Sequence, residues 1–324
     1  MKRIKLLLAT SLALAGAVQA QTFLTNGLVA YYPFNGNAND QSTNDNNGTP
    51  QHAVLTTDML GVPNQAYEFN GTNAYVSAPN QSYLSFPGDF TISVRASIQG
   101  APNPIMFFAG LDNGPGELVK WFFYYGKSSA PIPTPAPCVG FSINDGGHAY
   151  WLAPTLYTPV LGSWHQYLVT KSGTNYTMYI DGLLGSSGSN YVVHSGTTTS
   201  INGGPSAIPS GINAPLTIGW AEGSGYFNGK LDDFRIYSRA LSTSEVEQLY
   251  VIESGPRVGL INAVKPSFSN LTLTTNYQLQ VSGDLSTWTN YGAAFTATNT
   301  SMVYPQYWDV DNWNKLFFRL QVTP

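Results

Sequence analysis

The sequence predicts an all-β fold, a sandwich or jelly roll, and three observations carry that expectation. Charged residues make up 10% of the chain while aromatics make up 13%. The Glu and Lys that long amphipathic helices need are scarce, whereas Tyr, Phe, Val, Ile and Thr suit strands and Gly, Asn and Pro suit the turns between them. Short strand-like runs recur with turn signals between them, and a single segment reads as helix, which is the pattern of a sandwich.

The first run, LVAYYPF (28–34), is followed by AYEF (66–69), NAYVSA (73–78) and FTISVRASI (90–98). Next come IMFFAGL (105–111), LVKWFFYY (118–125) and CVGFSI (138–143). The segment WHQYLVTKSGTNYTMYIDGLLG (164–185) reads as consecutive hairpins, turning at 172–175 and at Asp181-Gly182, a pair favoured in tight hairpins. LTIGW (216–220) and KLDDFRIY (230–237) complete the set. The helix is 242–250, where Ser242 and Glu245 form a capping box after the apolar Leu241. IESGP and Pro256 then break the pattern, placing a domain boundary near 251–257 and dividing the chain after its leader into 21–250 and 251–324. The remainder (VGLINAV, YQLQVS, MVYP, KLFFRLQV) is long enough for a small second β-sandwich. Two long stretches, KSSAPIPTPAP (127–137) and SSGSNYVVHSGTTTSINGGPSAIPSG (186–211), read as irregular.

Residues 1–20 have the form of a secretory leader: Lys2, Arg3 and Lys5 precede an apolar run ending in Val18, Gln19 and Ala20. The expected mature protein starts at Gln21 and is secreted or extracellular, and no later segment reaches the ~20 apolar residues of a membrane span. Loss of the leader removes three of 14 basic residues and none of the 18 acidic ones, so the formal charge moves from −4 to −7. That balance argues against nucleic acid and anionic membranes as partners. Cys138 is the single cysteine, which excludes an internal disulfide and a Cys-based metal site.

Five separated motifs carry a family resemblance. LVAYYPFNGNANDQS (28–42), AYEFNGTNAYVSAP (66–79), SFPGDFTISVRAS (85–97), WHQYLVTKSGTNYTMYIDGLLG (164–185) and NGKLDDFRIYSRALSTSEVEQLY (228–250) follow one another as in bacterial LamG-like domains. Residues 27–250 thus resemble the concanavalin A-like lectin/glucanase superfamily, which implies a jelly roll. The C-terminal stretch is similar to a small β module that follows such domains in secreted proteins of verrucomicrobial and related bacteria.

Adjacent aspartates interrupt the last strand of the resemblance. Strict alternation puts Asp232 on one face with Phe234 and Ile236, and Asp233 on the other with Leu231, Arg235 and Tyr237. One carboxylate therefore lies among apolar side chains, which is costly unless it is paired or bound to a metal. The loop NANDQSTNDNNGT (37–49) is rich in oxygen ligands but is not an EF-hand, since the sixth position from Asp40 is Asp45 and the twelfth is Gln51. The resemblance implies a structural calcium tying this loop to the last strand, with Asp40 and Asp232 as ligands completed by backbone carbonyls around His52. The alternative is a solvated turn, with the aspartates paired to Arg235 or Arg239 or capping loops.

Glucanases of the superfamily place acids on one strand as E-x-D-x-E or E-x-D-x-x-E, for attack and protonation across ~5.5 Å. Glu117, Glu222, Glu245, Glu247 and Glu253 do not form such a triplet, and His52, His148, His165 and His194 lack zinc spacing. No serine occupies a G-x-S-x-G elbow. The sequence therefore reads as a non-catalytic carbohydrate-binding or adhesion protein with a polysaccharide or glycan partner. The rival reading is a structural or self-assembling component that binds protein. Sugar sites combine aromatic faces with amide and carboxylate partners, and Trp121, Tyr125, Asn144, Asp145 and Trp151 are the expected site. The competing reading of these aromatics is sandwich core, where Trp164 and Trp220 are also expected.

Overall fold

The computed structural model describes residues 22–100, 105–112, 119–126, 137–185, 189–208, 212–223, 225–255, 263–304, 308–309 and 315–323. Residues 1–21, Glu117 and most of the Pro-rich stretch lie outside the described residues. The chain divides into two compact units, one up to Gly255 and one from Pro256.

The strands of the first unit, in chain order, are β1 (Leu28–Tyr32), β2 (Thr49–Gln51), β3 (Val54–Thr56), β4 (Ala66–Asn70), β5 (Tyr75–Ala78), β6 (Phe90–Ile98), β7 (Ile105–Leu111), β8 (Val119–Gly126) and β9 (Cys138–Asp145). They continue with β10 (Ala149–Leu156), β11 (Trp164–Ser172), β12 (Asn175–Ile180), β13 (Leu183–Leu184), β14 (Asn190–His194), β15 (Thr197–Ile201), β16 (Leu216–Ile218) and β17 (Asn228–Tyr237). An eight-stranded sheet runs β13-β12-β11-β6-β17-β4-β3, with β1 also paired to β17, and a nine-stranded sheet runs β15-β14-β10-β9-β8-β7-β16-β5-β2. Between the inner faces lies a core that includes Val94, Ala96, Phe108, Trp121, Phe141, Tyr167, Phe234 and Ile236. The unit is the all-β jelly-roll sandwich that the composition and motifs predict.

On β6 the odd and even residues are all buried, because both faces of this central strand are covered. Ile92, Val94, Ala96 and Ile98 face the core, while Arg95 faces helix α1 (Thr243–Ser254). The helix begins on a complete Ser242–Glu245 capping box, and Leu241, Val246 and Leu249 dock with Leu168, Tyr179 and Tyr237 of the eight-stranded sheet. Each apolar side chain so buried contributes about 1.5–3 kcal/mol. The helix runs to Ser254, four residues beyond its expected end.

The turn at Asp181-Gly182 has φ of +53° and +74°, as the dipeptide predicts. Two hairpin strands, β14 and β15, fall inside the stretch read as irregular, and β10 follows a turn after which no strand was expected. The exposed Thr-rich β15 has no buried face to impose alternation on its sequence.

The second unit contains β18 (Ala263–Val264), β19 (Ser267–Ser269), β20 (Asn276–Ser282), β21 (Thr289–Thr296), β22 (Ser301–Val303), β23 (Trp308–Asp309) and β24 (Phe317–Thr323). A three-stranded sheet, β21-β20-β24, and two strand pairs surround a small core of Leu271, Tyr277 and Ala297.

Candidate functional site

The aromatic strand β8 divides its side chains between the core and the outside of the nine-stranded sheet. Trp121, Phe123 and Tyr125 point into the core; the Trp121 Nε1–H donates to the Leu84 carbonyl at 2.9 Å, and its ring lies 5.3 Å from Phe86 and 5.8 Å from Phe141. Trp121 and Tyr125 therefore belong to the sandwich interior and are withdrawn from the expected site. Alternation alone separates two faces without saying which is inward, and here both carry aromatics.

The opposite face of β8 presents Lys120, Phe122 and Tyr124. Register brings Asn144 opposite Lys120, Ser142 opposite both Phe122 and Trp151, and Tyr191 opposite Trp151. Asn144 and Trp151 thus do lie together on the outer face. The Trp151 ring packs edge-on against Phe122 at 6.0 Å and Tyr124 at 5.2 Å and is 8% exposed, so it is a floor with its rim showing. Tyr191 and Val193 pack partly buried against the same cluster.

A loop after β16 covers the middle of this floor. Its base is closed by the Gly219 N–H to the Phe108 carbonyl and the Phe227 N–H to the Gly219 carbonyl, both 2.8 Å. Gly219 has φ +88°, and a Cβ there would meet the Phe69 ring at 2.5 Å, so both backbone conformation and space require glycine. Ala221 inserts into the apolar cluster with Phe107 and Phe122, while the Gly225 carbonyl accepts from the Phe107 N–H. By covering the floor, the loop carries other groups outward. The Glu222 N–H donates to Asp112 Oδ2 at 2.6 Å, and Glu222 Oε1 lies 2.5 Å from Lys120 Nζ, which also lies 3.7 Å from Asp112 Oδ1. Lys120 and Asp112 are buried, whereas the Glu222 side chain keeps 30% of its surface exposed. A buried ammonium needs such partners to offset its desolvation.

Trp220 is not a core residue. It is partly exposed, its ring stacked on Tyr226 at 5.8 Å and 22° and tilted against Tyr75 at 5.3 Å. Trp164 is likewise partly exposed at the start of β11. Neither ring was separable from a core tryptophan by alternation, because Trp220 lies past the strand end and Trp164 opens its strand.

Asp145 closes the β9–β10 turn. Its carboxylate accepts from the N–H groups of Gly147 at 3.0 Å and His148 at 2.8 Å and from the Tyr150 hydroxyl at 3.2 Å. Partial burial alone would raise its pKa, but these donors and the His148 ring hold it below the usual carboxylate range. The His148 ring stacks on His194 at 4.5 Å. His165 is bound to Asp181 through Nδ1 at 2.7 Å and packs edge-on against Tyr157.

The adjacent aspartates sit in a β-bulge. Register between β17 and β6 shifts from Asp232, opposite Arg95, to Arg235, opposite Ser93, and Asp233 takes φ +47°. The extra residue reverses the expected parity: Leu231, Phe234 and Ile236 all enter the core, so Asp232 does not share a face with the latter two. Asp233 Oδ1 accepts from the Tyr31 hydroxyl at 2.8 Å and lies 3.8 Å from Arg235 Nη2. Arg235 stacks on the Tyr31 ring at 3.5 Å and donates to Glu253 Oε1 at 2.9 Å, while Arg95 and Gln166 reach Glu253 Oε2 at 3.4 and 2.8 Å. Arg239 instead forks onto Glu245 with two bonds of 2.9 Å.

Of the three residues that the resemblance assigns to calcium, Asp40 is buried and accepts four hydrogen bonds, from the N–H groups of Tyr31, Ser42 and Asn46 and the Ser42 hydroxyl. His52 is exposed at φ +54°, and Asp232, fully buried, accepts from the Asp233 N–H at 2.8 Å. Calcium takes about six to eight oxygens, and among the described residues no group of three or more His, Cys, Asp or Glu could hold a metal ion. As placed, these side chains do not fit that ion, and no step below passes through it.

Two antiparallel sheets around one aromatic core, with a covered aromatic floor and polar groups on one outer face, define a lectin-like jelly roll. The chain belongs to the concanavalin A-like lectin/glucanases superfamily, matching its Laminin_G_3 family over residues 70–247. No curated protein matches the sequence. Among solved structures it is similar to domain 4 of an extracellular GH43 arabinanase from Geobacillus stearothermophilus in complex with arabinotriose, at TM-score 0.51 and 18% identity over 69% of this chain and 98% of that one. It is also similar to the binding domain of Paraclostridial Mosquitocidal Protein 1, at TM-score 0.49 and 17% identity over 78% of this chain and 57% of that one. A sialidase from Trypanosoma rangeli matches at TM-score 0.47 and 16% identity, covering 70% of this chain and 33% of that one. These likenesses are of fold.

Proposed function

We propose that the first unit is a secreted, non-catalytic carbohydrate-binding domain and that the outer face of its nine-stranded sheet is the binding face. The observation that carries this reading is the outer face on which register places Asn144, Trp151 and Tyr191, with Lys120 opposite Asn144 and paired to Glu222. A sugar presents apolar C–H faces ringed by hydroxyls, and it suits a surface where aromatic rings share a face with amide and carboxylate groups. The superfamily includes lectins, and the arabinanase domain of similar fold is described with arabinotriose. The acid triplet that glucanases use is missing from the sequence, which supports binding without hydrolysis.

Affinity electrophoresis through gels containing a panel of polysaccharides tests the reading. At least one polymer should retard the protein, and the Asn144→Ala/Tyr191→Ala variant should migrate freely while melting within a few degrees of the parent. Retardation unchanged in that variant would move the site off this face; no retardation by any polymer would end the carbohydrate reading. Calcium is tested separately by melting the protein with the ion and with chelator. Equal midpoints remove that expectation, and a rise abolished by Asp232→Ala sustains it.

A further inference from the structure

The proposed face has a second aromatic surface that the fold does not require. Tyr75 alternates with the core residues Val76 and Ala78, so it stands on the outer side of β5. Trp220 leans on it, and Tyr226 stacks on Trp220 nearly parallel. All three rings remain partly exposed. Core aromatics in this domain are closed in; Trp220 and Tyr226 are carried above the sheet by the loop whose Ala221 is anchored in the apolar floor, and there they meet Tyr75 of β5. Trp220 Nε1 is buried without a hydrogen-bond partner among the described residues. Native structures seldom leave such a donor unmet, and a ligand hydroxyl at the ring edge would supply the acceptor.

The charge beside the platform is equally specific. Glu222, two residues beyond Trp220, shares the Lys120 ammonium with Asp112, so that two carboxylates meet one ammonium among the described residues. Resting on the carbohydrate reading above, we propose that Trp220, Tyr226 and Tyr75 form a stacking platform for an uncharged sugar ring and that Asp112 and Glu222 exclude carboxylated or sulfated units. The quadrupole of an aromatic face attracts the weakly positive C–H edge of a neutral ring. An acidic sugar brought to the same place would meet like charge, with the local cation already engaged.

The test uses the whole protein in gels of neutral polymers (arabinan, galactan, xyloglucan) and acidic ones (polygalacturonate, alginate, chondroitin sulfate). Neutral polymers should bind at least roughly tenfold more tightly than acidic ones, the size expected when like charges are juxtaposed. Trp220→Ala and Tyr226→Ala should each weaken the neutral interaction by roughly tenfold, as expected for loss of a stacked ring, while Trp220→Phe, which keeps a ring but not the Nε1 donor, loses less than Trp220→Ala, and Glu222→Gln improves acidic binding. Melting curves identify any variant that does not fold, and Tyr226→Ala carries the test if Trp220→Ala fails. If Trp220→Ala and Tyr226→Ala bind like the parent while Asn144→Ala/Tyr191→Ala does not, the platform is overturned and the binding face stands. Equal retention by acidic polymers overturns the charge selection, and absence of binding to any polymer overturns both readings.

Discussion

At the scale of single residues, the strongest dependence is on Glu253. Its carboxylate, 2% exposed, receives Arg235 on one oxygen and Arg95 and Gln166 on the other, and so bonds the helix to three strands of the eight-stranded sheet. Removing one member of a buried ionic group leaves the others uncompensated, which typically costs about 3–5 kcal/mol. Glu253→Ala should lower stability by that amount in urea titrations, and Glu253→Gln by less, because the amide still fills the space and accepts from one guanidinium. A loss under 1 kcal/mol for Glu253→Ala, the scale of a surface pair, would mean that the network contributes little. Legibility in the sequence follows from the same contacts. The oddity of Asp232-Asp233 beside Arg235 was visible, as was the pairing of an aspartate with Arg235 as one of two readings. The bulge was hidden because an inserted residue leaves no mark in the apolar pattern until the register of β6 is known. Trp121 and Tyr125 were misplaced for a related reason: a strand aromatic on both faces does not declare its inside.

Among the elements, α1 was the most legible because its start is written in local chemistry. Ser242 Oγ accepts from the Glu245 N–H at 3.3 Å, and Glu245 returns a bond to the Ser242 N–H at 2.8 Å, with Arg239 forked onto the same carboxylate. Ser242→Ala should cost about 1 kcal/mol, the usual worth of an N-cap, and hydrogen exchange should quicken first in the opening turn of the helix. Unchanged exchange there would show that packing of Leu241, Val246 and Leu249 alone fixes the helix start. The central strands were legible from apolar alternation and their turns from Asp-Gly and Gly signals. The edge hairpin β14–β15 was not, since its residues are mostly polar, partly or fully exposed, and paired through backbone groups that any sequence supplies.

At the scale of the whole domain, tyrosines are built into the core of the sandwich among its aliphatic residues, and this gives it a predictable alkaline limit. Burial raises the pKa of Tyr83 and Tyr157 from 10.0 to about 12, with the charges of Asp40 and Asp181 adding to the effect. Burial holds Tyr31, Tyr32, Tyr167 and Tyr176 higher still, the first three also against nearby negative groups. In the unfolded chain each of these phenols ionises near ~10. Because the folded values are raised, the native state retains protons that the unfolded state gives up. Their contribution to stability is then whole below pH 10 and is lost as pH rises through about 12. An absorbance titration of tyrosinate beside circular dichroism should show two stages among the 20 tyrosines. Exposed phenols should titrate smoothly near ~10, and the buried set should ionise in one cooperative step together with loss of the β signal. Smooth ionisation of all 20 with the β signal intact would mean that water reaches these rings, and the closed aromatic core described here would be wrong.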